Sequence, residues 1–423
     1  MAIRILVVDD SVVIRKLVTS TLSEVRGMEV VATAATGKIA LAKIPQCNPD
    51  IVILDVEMPE MDGIETLQHI RKLSPRLPVI MFSTKTERGA VATIEALTRG
   101  ASDYVAKPAN VGNVLLAMAR VREEMVPKIQ ALTSRVRGAS ARPPTSPLAT
   151  FAYGATSGPG AKTVPLATLR TPLAPAATVT STRTIPLPKL TTQVIARPQL
   201  TAPNPVIVLD GPIRLHRATG PRPPVEVVAI GASTGGPNAL AELLTQLPED
   251  FSVPIVIVQH MLATFTRHFA QRLAAQCRLK IVEASEGEAL LPGRVYIARG
   301  DYHLITERRA GRVQLAMNQD AQENFCRPAV DVLFRSVAAC YGAGALAVVL
   351  TGMGHDGLLG CSAIRDAGGD IIVQDEQSSV VWGMPGFVAR AGLASQVLGL
   401  EQLGGELRRR VALGPSRFAG VVP

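Results

Sequence analysis

Ile3-Arg4-Ile5-Leu6-Val7-Val8-Asp9-Asp10 is a short apolar run that ends on two adjacent carboxylates. Its apolar residues are nearly continuous and do not alternate, which marks a strand covered on both faces, as in a parallel sheet flanked by helices. The pattern recurs. Residues 30–34, 51–54, 79–82 and 104–106 read as further strands, and residues 12–25, 38–44, 64–73, 90–99 and 111–128 as amphipathic helices. Strand and helix alternate five times, so residues 1–128 are predicted to form a doubly wound α/β sheet.

Functional groups in such sheets gather outside the carboxyl ends of the strands. Here those ends carry Asp9 and Asp10 after the first strand, Asp55 at the third, Ser83 after the fourth and Lys107 after the fifth. Three carboxylates in one crevice repel each other, and a hard, oxygen-preferring cation such as Mg²⁺ relieves that repulsion. Asp55, the central carboxylate, is the expected nucleophile toward a phosphoryl group, with Mg²⁺, Lys107 and the Ser83 hydroxyl stabilising the acyl phosphate. Any one of these residues alone reads equally well as a solvated loop residue. Their coincidence at matching strand ends favours a site.

The segments Val7-Val8-Asp9-Asp10-Ser11, Leu54-Asp55-Val56-Glu57-Met58-Pro59, Met61-Asp62-Gly63 and Lys107-Pro108 resemble those of bacterial response-regulator receiver domains. The resemblance implies a flavodoxin-like fold, with Mg²⁺ held by Asp10, Asp55 and the backbone carbonyl of Glu57, beside Asp9. It implies that a histidine kinase is the phosphodonor to Asp55, and that Ser83 and Tyr104 form a switch pair near Lys107. It also implies a cis bond before Pro108, aiming Lys107 inward.

At 423 residues the chain exceeds one compact core, and 47% hydrophobic with 19% charged residues excludes wholesale disorder and fibrous architectures. Its apolar runs fall far short of the roughly 20 residues of a membrane helix, and the start reads as no signal peptide. A cytoplasmic protein without membrane insertion is expected. Five scattered cysteines without a C-x-x-C pair suggest neither a disulfide framework nor a zinc site, and most are expected to be small buried apolar residues. The net charge of +9 is concentrated in residues 138–224, where nine Lys or Arg face the single acid Asp210 and 16 of the 31 prolines gather. That composition predicts a long disordered linker, placed at 129–224, and no nucleic-acid partner.

Beyond the linker, an apolar run at 225–230 ends in Gly231-Ala232-Ser233-Thr234-Gly235-Gly236, before an expected helix at 237–247 with Pro237 just inside its start. The first five of these residues fit G-x-S-x-G, a sharp strand-to-helix turn that exposes a serine above the amides of a helix N-terminus. Alone, the pattern also describes a capped Gly-rich turn or a phosphate cradle. Two further apolar runs, 253–258 and 345–350, lead to Gln259-His260-Met261 and to Thr351-Gly352-Met353-Gly354-His355-Asp356-Gly357. If the three strands are neighbours, Ser233, His260 and Asp356 meet at one rim as nucleophile, base and orienting acid. His355 competes as the base. His260 is preferred because a base next in sequence to its acid would diverge from it around a tight turn. His303 could line a pocket, and the remaining histidines suit surface or structural roles.

These residues, with Arg327-Pro328-Ala329-Val330-Asp331-Val332-Leu333-Phe334 and Trp382-Gly383-Met384-Pro385, resemble the catalytic domain of two-domain chemotaxis protein-glutamate methylesterases over about 225–413, leaving a tail at 414–423. A receiver followed by this domain is that family's architecture. The resemblance implies a Rossmann-like, doubly wound parallel-sheet domain that hydrolyses glutamyl 5-methyl esters on methyl-accepting chemoreceptors. Ser233, His260 and Asp356 would be the triad, the backbone amides of Thr234 and Met353 would bind the oxyanion, and no cofactor is expected in this domain. Relatives also deamidate receptor glutamines, which the sequence leaves open here. The chain departs from the family in its long linker and in Ala329, where serine is frequent. The rival reading is a receptor- or protein-binding module controlled by phosphorylation, without catalysis.

Overall fold

The computed structural model describes residues 2–108, 114–138, 213–216 and 223–412. Most of the expected linker, the start of the helix expected from 111, and the tail at 414–423 lie outside the described residues. Among the described residues no helix is long and apolar enough to cross a membrane.

The first domain runs β1 (Ile3–Val8), α1 (Val12–Ser23), β2 (Met28–Ala34), α2 (Gly37–Cys47), β3 (Ile51–Asp55), α3 (Gly63–Leu73), β4 (Val79–Ser83), α4 (Glu87–Thr98), β5 (Asp103–Ala106) and α5 (Val114–Gly138). Its five strands are parallel in the order β2-β1-β3-β4-β5. Successive side chains go to opposite faces. Leu6, Val8, Val52 and Leu54 pack with Leu67, Ile70 and Ile94, whereas Ile5, Val7, Ile51 and Ile53 pack with Leu17, Val18, Val121 and Met125. The side chains of Ser11, Thr36, Asp62 and Thr86 accept amide hydrogens at the starts of α1 to α4, satisfying donors that the helix itself cannot.

The second domain comprises β6 (Val227–Ala232), α6 (Gly236–Thr245), β7 (Ile255–Gln259), α7 (Ala263–Gln276), β8 (Lys280–Glu283), β9 (Arg294–Ile297), β10 (His303–Arg309), β11 (Arg312–Asn318), α8 (Val330–Tyr341), a 3₁₀ turn (Gly342–Gly344), β12 (Ala345–Val349), α9 (Leu358–Asp366), β13 (Asp370–Gln374), α10 (Met384–Arg390), β14 (Gln396–Leu398) and α11 (Leu400–Ala412). Seven strands form a parallel sheet in the order β14-β13-β12-β6-β7-β9-β8. β12, β6 and β7 are adjacent, as the triad reading requires. β10 and β11 form a separate antiparallel hairpin, turning at Ala310 and Gly311 with positive φ, an addition to the doubly wound pattern.

The two domains form one compact unit. α4 of the first packs on α6 and α7 of the second, and the apolar core is continuous across the junction. Two expectations are corrected. The Lys107–Pro108 bond is not cis; the X-Pro cis bond among the described residues is Arg327–Pro328. Lys107 needs no cis bond because its long stem already reaches the carboxylates. Of the five cysteines only Cys361 is buried, the other four being half-buried.

Candidate functional site

The carboxyl ends of β6, β7 and β12 build one rim. The Ser233 amide donates to Thr351 O (3.0 Å) and the His260 amide to Ala232 O (3.0 Å), which ties all three chain segments together. Gln259 Nε2 donates to Ser233 O and His260 O, and Thr351 Oγ1 to Thr234 O (2.9 Å). Gly235 takes φ +77° at the start of α6, a left-handed conformation that favours glycine. Gly352 lies so near that a Cβ there would approach Ser233 Cβ to 2.9 Å. Small residues thus let the serine turn and the β12 loop meet.

His260 Nε2 donates to Asp356 Oδ2 at 2.8 Å. That oxygen also accepts the Val330 amide (2.7 Å), and Asp356 Oδ1 accepts from Asn324 Nδ2 (2.9 Å), the Asp331 amide (3.0 Å) and its neighbour Gly357 (3.0 Å). Burial alone favours the neutral acid. The His260 contact and the amides outweigh it and hold the Asp356 carboxyl below its ordinary range. Two of those amides open α8, where Ala329 offers no capping hydroxyl, so Asp356 supplies the negative end that the helix dipole favours.

The other ring nitrogen, His260 Nδ1, faces Cys326 Sγ at 3.5 Å. Among the described residues the half-buried Ser233 hydroxyl makes no hydrogen bond, so the histidine–aspartate half of the relay is closed and the serine half is open. Catalytic hydrogen bonds often tighten only around substrate. Burial disfavours the charged imidazolium, yet the contacts with Cys326 and Asp356 outweigh it and raise His260 above its ordinary range. The Thr234 and Met353 amides donate to no protein acceptor among the described residues, leaving both able to meet an oxyanion.

The competing histidines lie elsewhere. His355 meets the Phe387 ring edge-on at 5.8 Å. His303 is buried, accepting the Ala329 amide at Nδ1 (3.2 Å) and donating from Nε2 to Ala321 O (3.0 Å), which fixes the loop before α8. That loop carries what the sequence reading missed. Asn324 Nδ2 bridges Asp356 and Asp331 Oδ2 (2.9 Å each), and Asp331 is raised to about 6 by burial and the nearby Asp356 charge. Asp331 lies in a quoted segment without an assigned role; Asn324 and Cys326 sit in no recognisable pattern.

In the first domain, Lys107 Nζ lies 2.8 Å from Asp9 Oδ2 and 2.7 Å from Asp55 Oδ2. These are close charge contacts, and both buried oxygens keep unused acceptor capacity. Burial and the Asp9 charge raise Asp55 to about 6, against the pull of Lys107. Oxygens of Asp9, Asp10 and Asp55 lie within 4.8 Å of one another, beside a cleft lined by Asp10 and Glu57. An all-oxygen set with surplus negative charge fits Mg²⁺.

The expected switch pair is engaged elsewhere. Ser83 Oγ donates to Gly89 O (3.1 Å) at the start of α4, away from Asp55. Tyr104 is buried against the second domain: its hydroxyl accepts the Leu262 amide (3.4 Å) and its ring stacks on Phe265 with centroids 4.7 Å apart. Asn238 Nδ2 donates to Ala101 O at 3.2 Å. α6 and α7 begin just after Ser233 and His260, so the first domain grips the two helices that leave this rim.

Residues 228–407 match the CheB methylesterase family and residues 5–119 the response regulator receiver domain. The chain is similar to the protein-glutamate methylesterase/protein-glutamine glutaminase of Trichodesmium erythraeum, with 45% identity over 96% of this chain and 99% of the relative. It is similar to the protein of the same description from Nocardioides sp., with 47% identity over 97% and 96%. Among solved structures, the Thermotoga maritima CheB methylesterase catalytic domain is 40% identical, covering 44% of this chain and 98% of that one, with a TM-score of 0.43.

Proposed function

Because this chain belongs to the CheB methylesterase family, hydrolases of chemotaxis that carry a receiver domain, we propose that it hydrolyses glutamyl 5-methyl esters on methyl-accepting chemoreceptors under control of Asp55 phosphorylation. The observation that carries this reading is the His260–Asp356 pair beside Ser233 on adjacent strands. In the proposed reaction His260 takes the Ser233 proton through Nδ1 as the hydroxyl attacks the ester carbonyl. Asp356 orients the ring and stabilises the imidazolium, and the Thr234 and Met353 amides receive the oxyanion. The imidazolium protonates departing methanol, and water activated by the same ring releases the glutamate. A receptor glutamine enters the same sequence with ammonia as leaving group.

Receiver control is the second part of the proposal, with a histidine kinase as donor. An Asp55 oxygen takes the phosphoryl group, and Lys107 pairs with its charge. Asp10, Asp55 and the Glu57 carbonyl would hold Mg²⁺, which supplies positive charge for the phosphoryl oxygens. Ser83 leaves Gly89 O to meet the new oxygens, shifting α4 and Tyr104 and loosening the grip on α6 and α7. The Tyr104–Phe265 stack supports this coupling.

The test is methanol release from methylated receptor membranes. Wild type should release methanol, faster with a small-molecule phosphodonor and Mg²⁺, and Ser233→Ala should lose several orders of magnitude in turnover. Near-normal release by Ser233→Ala would reject the reading.

A further inference from the structure

Ester hydrolysis leaves Cys326 without a task, although its sulfur faces the ring nitrogen that Ser233 would use. Sγ lies 3.5 Å from His260 Nδ1, Asp356 Oδ2 holds Nε2 at 2.8 Å, and sulfur, ring and carboxylate atoms fall within 4.8 Å of one another. Thiol, imidazole and carboxylate in this order are an arrangement in which the ring can take the thiol proton as the sulfur attacks, with the carboxylate stabilising the transient imidazolium. One imidazole thus stands between two nucleophiles, and the thiol is the one in contact.

The local backbone puts the sulfur there. Asn324 and Phe325 adopt left-handed φ values of 51° and 61°, and Glu323 and Cys326 exchange backbone hydrogen bonds across them (3.2 and 2.8 Å). Arg327 Nη1 anchors the following residue on the carbonyls of Gln319 and Asp320. Cys326 is half-buried and its neighbour Phe325 is 86% exposed. Among the described residues no other thiol meets a ring nitrogen, and burial pushes Cys277 up to about 11 and Cys361 well above its usual value.

We propose that Cys326 is a redox-modifiable thiol whose oxidation by hydrogen peroxide to a sulfenic acid removes His260 from Ser233 and switches the esterase off reversibly. The inference rests on the assignment of Ser233 and His260 to ester hydrolysis. The Cys326 thiolate attacks one peroxide oxygen; an S–O bond forms as the O–O bond breaks. Sulfur loses two electrons, and the departing hydroxide takes the imidazolium proton and leaves as water. A first molecule of a thiol reductant displaces water to give a mixed disulfide, and a second regenerates the Cys326 thiol with release of the reductant's disulfide.

The experiment uses the full chain. In wild type, iodoacetamide should label Cys326 at least about tenfold faster than Cys277, and His260→Ala should abolish that advantage. Hydrogen peroxide should lower methanol release in proportion to the fraction of Cys326 trapped by dimedone, dithiothreitol should restore it, and Cys326→Ala should keep its own untreated rate through the same treatment. Labelling of Cys326 no faster than Cys277, or equal loss of activity in wild type and Cys326→Ala, overturns the proposal. If untreated wild type releases no methanol, the esterase reading fails, and the labelling comparison still decides whether Cys326 is activated.

Discussion

Asp356 Oδ2 receives His260 Nε2 at 2.8 Å and the Val330 amide at 2.7 Å, so the carboxylate that holds the His260 ring also caps α8. Asp356→Asn keeps the shape but turns one acceptor into a donor against the amides and the ring. Turnover should fall by about 10³–10⁴, and thermal stability should fall with it, because buried donors lose their acceptor at about 1–3 kcal/mol each. Methanol-release kinetics and calorimetry on the same preparation check this. A variant with wild-type melting and turnover would show that the ring needs no such partner.

Tyr104 stacks on Phe265 across the domain junction. Such a contact contributes about 1 kcal/mol, or about a fivefold shift in a two-state equilibrium. Phe265→Ala and Tyr104→Ala should therefore each raise methanol release by the unphosphorylated protein several-fold, and Asp55→Ala should lack any response to phosphodonor. Unchanged basal rates in both aromatic variants would mean that this contact does not restrain the enzyme.

The raised Asp55 value gives a signed pH effect. With the folded value near 6 and the ordinary value at 3.8, the folded domain holds a proton that the unfolded chain has already released between those limits. Stability therefore falls as pH rises from about 4 to 6, and the full penalty, on the order of 3 kcal/mol, persists above that window. Asp55→Asn should stabilise the receiver at pH 8 in EDTA and flatten the difference between pH 5 and pH 8 in urea unfolding, and added Mg²⁺ should stabilise wild type more than the variant. An unchanged pH dependence in Asp55→Asn would discount carboxylate repulsion as its source.

Much of this was legible in the chain. β1, β3, β4, β6, β7 and β12 are apolar over most of their length, because strands buried on both faces favour apolar residues, and the candidate site residues stand at or just past their ends. β8, β9 and β14 are only three or four residues long and mix charged or polar side chains with apolar ones, so their pattern is weak. The hairpin of β10 and β11 left a signal at Ala310-Gly311 that is easily read as a simple loop. Asn324 and Cys326 were invisible for a different reason. Their importance comes from a turn that brings them to His260 and Asp356, distant in sequence, and no local periodicity encodes such a meeting. The stack of Tyr104 on Phe265 is equally non-local, joining residues on either side of a long linker.

The central claim is that His260, held by Asp356, activates the Ser233 hydroxyl. Its most direct test is covalent labelling of the full chain with a fluorophosphonate that reacts with activated serines, followed by peptide mass spectrometry. The account predicts one stoichiometric adduct on Ser233 in wild type and its loss, by at least about a hundredfold in rate, in His260→Ala. An adduct on another residue, or equal labelling of Ser233 with and without the imidazole, would contradict it.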